Sequence, residues 1–250
     1  MSLHVDSRGR LWTHWYGKPL TLYDPISEQW QVMTGADAVD TFGGFAEDQS
    51  GRVWLASSSA LLYYDEKTQH LMVAATLRPD PDPNSVYWPQ LALHRSAIWI
   101  ATQGEVVSFD VTKNMVHRIP VPSPGSPRLW VHRGNLWLCN ASGVFRLAAD
   151  RAHWQEFFRT NKSPLTACEF AADGALWVAT GEAGVIRIAG GVEQRFQHGP
   201  GNNASLADNV VLNAQRDSRS QLWVITPGIA VVGQFKFSAA SAVISSSDQS

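Results

Sequence analysis

Histidine is the side chain best suited to moving protons near neutral pH, and this chain carries eight, at positions 4, 14, 70, 94, 117, 132, 153 and 198. They are scattered. His94 and His132 share one place, five residues before Trp99 and Trp137, which marks them as turn residues outside any cleft. The chain contains no Gly-x-Ser-x-Gly elbow, no His-Glu-x-x-His pair and no phosphate-binding glycine loop. No catalytic residue, metal site or cofactor is therefore expected. Cys139 and Cys168 have no metal-ligand spacing and form no disulfide framework. Each lies in a strand-like run of a neighbouring repeat, so they read as buried free thiols, with a disulfide between the two runs as the alternative.

Ligand-holding side chains are better represented. Trp15-Tyr16 and Tyr87-Trp88 are aromatic pairs outside the regular strand pattern. Exposed aromatics with Asn, Gln and Asp nearby can stack on a sugar ring and bond its hydroxyls; the plainer reading is that they cap the fold or plug its centre. The balance of 20 basic and 22 acidic residues, net −2, lacks the basic face that nucleic acid or an anionic membrane demands. No apolar run approaches the ~18 residues of a membrane-spanning helix. The first residues enter the first repeat at once and leave no room for a signal peptide, so the chain reads as cytoplasmic or as a piece of something larger.

The elements that must position these residues come from a repeat. Trp12, Trp54, Trp99, Trp137, Trp177 and Trp223 recur at spacings of 38 to 46 residues. Three residues before each stands Gly9, Gly51, Ser96, Gly134, Gly174 or Ser220, and one before stands an aliphatic residue. Asp6 and Asp48 precede Gly9 and Gly51 by three, the placement of Asp and Gly in a type I turn; Asp173-Gly174 and Asp217 read as variants. Tyr23-Asp24, Tyr64-Asp65 and Phe109-Asp110 are one further position in three copies. Each repeat holds four short apolar runs bounded by turn residues, and no segment keeps a 3.6-residue apolar period. This predicts an all-β chain, a β-propeller of six blades with four antiparallel strands each, the alternative being part of a seven-bladed ring. The blades are expected at about 3–42, 43–89, 90–127, 128–164, 165–209 and 210–237, the last with 229–232 and 235–237 as its third and fourth strands; this is one domain over 1–237, with 238–250 a flexible tail or linker. The repeat tryptophans are expected to pack between blades.

The repeat resembles the two-component regulator propeller repeat, found in sensor regions of bacterial hybrid histidine kinases and related diguanylate cyclases. The residues that carry the resemblance are Asp6 to Thr13 with Leu22-Tyr23-Asp24, Asp48 to Ser57 with Leu62 to Asp65, and Asp173 to Thr180 with Gly184-Val185. The connection Phe196 to Val210, with His198 and Asn203-Ala204-Ser205-Leu206, looks like the family's link between blades, and Asn84-Ser85-Val86 is a weaker echo. Repeat three lacks the Asp-x-x-Gly turn and repeat six lacks the Tyr-Asp end.

The resemblance implies a non-catalytic, ligand-sensing module of a periplasmic or extracytoplasmic receptor, binding a small molecule or oligosaccharide and acting through the parent receptor's homodimer, with no nucleic-acid partner and no direct membrane insertion. In propellers, ligands usually meet the loops that join second to third strand and last strand to next blade. Those loops supply the candidates His14, Trp15, Tyr16, Asp37, Asp40, Ser58, Tyr87, Trp88, Gln103, Asn140, Glu182, Asn203 and Pro227. The repeats are also similar to those of virginiamycin B lyase-like proteins, which use a His and a Glu beside magnesium; in that alternative Glu182 and His14 face one channel. A third reading is a protein-interaction platform without a small ligand.

Overall fold

The structure, a computed structural model, describes residues 2–15, 18–33, 42–57, 59–77, 89–102, 104–123, 127–202, 205–216, 221–227, 233–238 and 241–245. Among them there is no helix, hence none long and apolar enough to cross a membrane. The strands form six sheets of four, each built in sequence order from antiparallel neighbours. The first sheet holds β1 (Ser2–Val5), β2 (Leu11–His14), β3 (Thr21–Asp24) and β4 (Gln29–Val32). The second holds β5 (Phe42–Glu47), β6 (Val53–Ser57), β7 (Ala60–Asp65) and β8 (His70–Thr76). The third holds β9 (Gln90–His94), β10 (Ala97–Ala101), β11 (Glu105–Asp110) and β12 (Met115–Pro120). The fourth holds β13 (Arg128–His132), β14 (Asn135–Asn140), β15 (Gly143–Leu147) and β16 (Trp154–Arg159). The fifth holds β17 (Leu165–Phe170), β18 (Leu176–Thr180), β19 (Val185–Ala189) and β20 (Val192–Phe196). The sixth holds β21 (Asn213–Arg216), β22 (Leu222–Ile225), β23 (Gly233–Ser238) and β24 (Ser241–Ser245). This is a β-propeller of four-stranded blades, as the repeat predicts. The chain divides into two compact units, Met1–Leu138 with Arg146–Gln155 and Cys139–Phe145 with Glu156–Ser250.

The core lies in layers between consecutive sheets. One layer joins Trp12, Leu20 and Leu22 of the first repeat to Val53, Leu55, Leu62 and Tyr64 of the second. The next joins Trp54, Ala56 and Leu61 to Ile98, Ile100, Val107 and Phe109. In the second unit Trp177, Val185 and Phe196 meet Val211, Leu222 and Val224. A strand covered on both faces has no polar side, and β6 and β18 are accordingly buried along their whole length. The fourth strands β4, β16 and β20 are mostly exposed, and their Gln, Glu and Arg residues face water.

Trp12 packs edge-on to Tyr64 at 5.0 Å and Trp54 against Phe109 at 5.7 Å, each ring coming from the following sheet. Five of the six repeat tryptophans are buried to 6% exposure or less; Trp223, in the last repeat, departs from the expectation at 37%.

The Asp-x-x-Gly turn explains why these tryptophans are held so firmly. The Asp6 carboxylate accepts backbone N–H bonds from Arg8 and Arg10 through Oδ1, while Oδ2 accepts from the Trp12 indole at 2.9 Å and from Arg10 Nε at 2.8 Å. Gly9 donates to the Asp6 carbonyl with φ at +79°, backbone that a side chain would strain. Asp48 repeats the device, accepting from Ser50, Arg52 and the Trp54 indole at 2.8 Å. Arg10 continues outward to a two-pronged pair with Glu66, in the turn between β7 and β8. In the fifth repeat Ala171 stands six residues before Trp177, where the first two repeats have Asp; Asp173 instead bonds Arg187 at 2.8 Å.

Three expectations are corrected. Cys139 and Cys168 are not free thiols but a disulfide, with Cα atoms 6.4 Å apart, joining β14 to β17 inside the second unit. Pairing Leu222 with Phe235 makes Gly233–Ser238 the third strand of the sixth sheet, where the sequence suggests the fourth. The fourth is Ser241–Ser245, in the stretch read as a tail, and it pairs antiparallel with β23. The expected third strand, 229–232, lies outside the described residues.

Candidate functional site

In four repeats the loop between second and third strands is closed by one device. Three residues after the repeat tryptophan stands a small polar side chain whose oxygen gathers the loop's N–H groups. In the first unit Ser57 Oγ accepts from Ser59 and Ala60, and Thr102 Oγ1 accepts from Glu105 while donating to its carbonyl. In the second unit Asn140 Oδ1 accepts from Ser142 and Gly143, and Thr180 Oγ1 accepts from Ala183 while donating to Gly184. Ser57, Asn140 and Thr180 are buried. Such side chains substitute for backbone partners in a tight turn.

The first repeat breaks this pattern. Trp15 occupies the position, three after Trp12, and its indole is 60% exposed. Its backbone carbonyl closes the turn instead, accepting from Lys18 N–H at 2.9 Å. The preceding residue, His14, is the last of β2, opposite Ser2 in the register. It is 1% exposed, and burial holds its imidazole below the usual histidine range, so it is neutral at physiological pH.

The expected site residues thus separate. Trp15, Glu182 and Pro227 are exposed in loops. His14 and Asn140 are buried strand ends, and the Asn140 carboxamide oxygen is committed to its own loop. Tyr16, Asp37, Asp40, Ser58, Tyr87, Trp88, Gln103 and Asn203 lie outside the described residues. No cluster of three or more His, Cys, Asp and Glu side chains that would hold a metal ion occurs among the described residues. Sequence reasoning missed the loop-closing role of Ser57, Thr102 and Thr180. Their common offset from the repeat tryptophan was the signal for it.

No family model matches the chain, and no curated protein matches it in sequence. Solved structures do match in fold. Virginiamycin B lyase from Staphylococcus aureus superposes with a TM-score of 0.66 at 14% identity, over 97% of this chain and 82% of that one. A streptogramin B lyase superposes with a TM-score of 0.66 at 16% identity, over 97% and 80%. The extracellular domain of a protein assigned to a hybrid two-component system of B. thetaiotaomicron gives 0.64 at 14% identity, over 89% of this chain and 31% of that domain, so this chain spans about a third of it. At such identities the likeness establishes the propeller fold, which lyases and receptor domains share.

Proposed function

We propose that this propeller is a non-catalytic ligand-sensing module of a two-component-type receptor, binding a small molecule or oligosaccharide at the loops between second and third strands. The observation that carries the reading is Trp15, a 60% exposed indole at a position where other repeats place a small loop-closing side chain. An indole left in water forgoes the burial that the repeat tryptophans achieve, and its flat face suits a sugar ring. Binding would bias the placement of receptor subunits through a difference in affinity between two arrangements. The Cys139–Cys168 disulfide supports an oxidising, extracytoplasmic setting, where such bonds persist.

The test is a thermal melt with a panel of oligosaccharides, repeated on Trp15→Ala and on Trp30→Ala, which removes a comparably exposed indole from the outer strand β4. A ligand at ~100 times its dissociation constant adds ~2.7 kcal/mol to the folded state. The expected result is a shift with one sugar class that Trp15→Ala loses and Trp30→Ala keeps. A shift that survives Trp15→Ala would refute this location. The lyase alternative assigns Glu182 and His14 to chemistry; metal-dependent turnover abolished by Glu182→Ala would favour it.

A further inference from the structure

At the opposite ends of the strands from Trp15's loop, the first unit contains a cleft of about 320 Å³. The turn between β9 and β10 contributes His94 and Arg95, β15 contributes Arg146, the turn between β15 and β16 contributes Arg151, and β16 contributes Gln155. Among the described residues, three guanidinium groups and an imidazole line this space and no carboxylate does. Several other described arginines do have carboxylate partners. Arg10 pairs with Asp6 and Glu66, Arg118 with Glu105, Arg159 with Glu156, Arg187 with Asp173 and Arg195 with Glu193. Arg52 instead lies over the Tyr63 ring at 4.6 Å.

Among the described residues no carboxylate pairs with Arg95, Arg146 or Arg151, and Arg146 bonds only the neutral Gln155, at 2.9 Å. The nearest acid in sequence, Asp150, is committed to His153 at 2.7 Å and to the Ala152 N–H. Burial of His94, 8% exposed, depresses its basicity, and the positive charges of Arg95 and Arg151 depress it further. Unneutralised guanidinium forks around a concave space recognise tetrahedral oxyanions, because each fork offers two parallel N–H donors.

We propose that this cleft binds a phosphate or sulfate group, free or carried on a larger molecule. The proposal is independent of the sugar-binding reading, since it uses other residues at other ends of the strands. The experiment measures binding of inorganic phosphate, inorganic sulfate, glucose 6-phosphate and glucose 6-sulfate by calorimetry, against chloride at matched ionic strength. The His94 ring resonances serve as a local reporter. The variants are Arg95→Gln with Arg151→Gln, both exposed turn positions where substitution leaves the fold intact, and Arg195→Gln as a control outside the cleft.

The expected result is dianion binding that chloride does not reproduce, with His94 resonances shifting in step. Loss of each guanidinium should weaken it about tenfold, and Arg195→Gln should leave it unchanged. Tighter binding of the sugar esters than of the free ions would identify a carried group as the ligand; equal binding would identify the ion itself. Dianions that act no better than chloride, or a double variant that binds as well as the parent, would overturn the proposal.

Discussion

Opening the Cys139–Cys168 bridge is the perturbation that most directly tests the second unit. The two residues are 29 apart in sequence, and each lies in a strand of a different sheet. Closing a loop of that length removes entropy from the unfolded chain worth about 3.5 kcal/mol on the loop-closure model. For a chain of this size about 1 kcal/mol moves the melting temperature by about 2–4 °C, so reduction should lower it by roughly 7–14 °C. The assay is a calorimetric melt of the oxidised protein, of the same protein in reductant, and of the Cys139→Ala/Cys168→Ala variant. Cys139 is buried, so the double variant adds a small packing loss to the loss of the bond. The variant should be insensitive to reductant, and the oxidised parent should carry no thiol titratable with a disulfide reagent. A parent that melts within 1 °C with and without reductant, or that shows two titratable thiols, would refute both the bond and the entropy argument built on it.

Asp6→Ala should destabilise the first unit by about 3 kcal/mol in urea unfolding, because it leaves the buried Trp12 indole N–H and the Arg10 Nε without their acceptor and Arg10 with Glu66 alone; a loss below 0.5 kcal/mol would dismiss the network. The same carboxylate predicts an acid limit. Burial alone would raise Asp6 and Asp48, but bonds from Trp12 and Arg10, and from Ser50, Trp54 and Arg52, hold both below the ordinary value of 3.8. A depressed carboxyl contributes stability that is present above 3.8 and disappears as pH falls through the folded-state value, so stability should decline below about pH 4. Glu169 runs the other way: burial raises it against the pull of Arg216, so its contribution is present below 4.5 and disappears as pH rises through its folded value. Asp6→Ala should flatten the acid-side slope, and an unchanged slope would assign the acid limit to other groups. Finally, Gly184 has φ at +76°, and a Cβ there would stand 2.2 Å from the Phe196 carbonyl oxygen on β20; Gly184→Ala should cost about 3 kcal/mol, read from the same unfolding curves.

What the sequence determined was whatever could be decided within one repeat. The interval from Asp6 to Trp12 and from Asp48 to Trp54 lies inside a single hairpin, so the turn, the strand and the indole bond follow from local spacing. The tryptophan period marks one hairpin per sheet for the same reason, and Trp12 and Trp54 each pack on a ring of the following sheet. The sixth sheet shows where this stops. The run 229–232 is as apolar as a strand should be, but pairing of Phe235 with Leu222, not composition, assigns the third strand.

Contacts between repeats belonged to the tertiary structure. Cys139 and Cys168 sit in neighbouring repeats on any reading, but only the 6.4 Å separation of their Cα atoms makes a bond. Asn140 looked like a ligand-facing loop residue until its oxygen proved to hold its own turn, while Trp15, at the same offset, stands in solvent. Arg95 and Arg151 are 56 positions apart and unremarkable in sequence; stacking one sheet on the next brings their turns to one cleft, because side-chain proximity across blades depends on packing that no local pattern encodes.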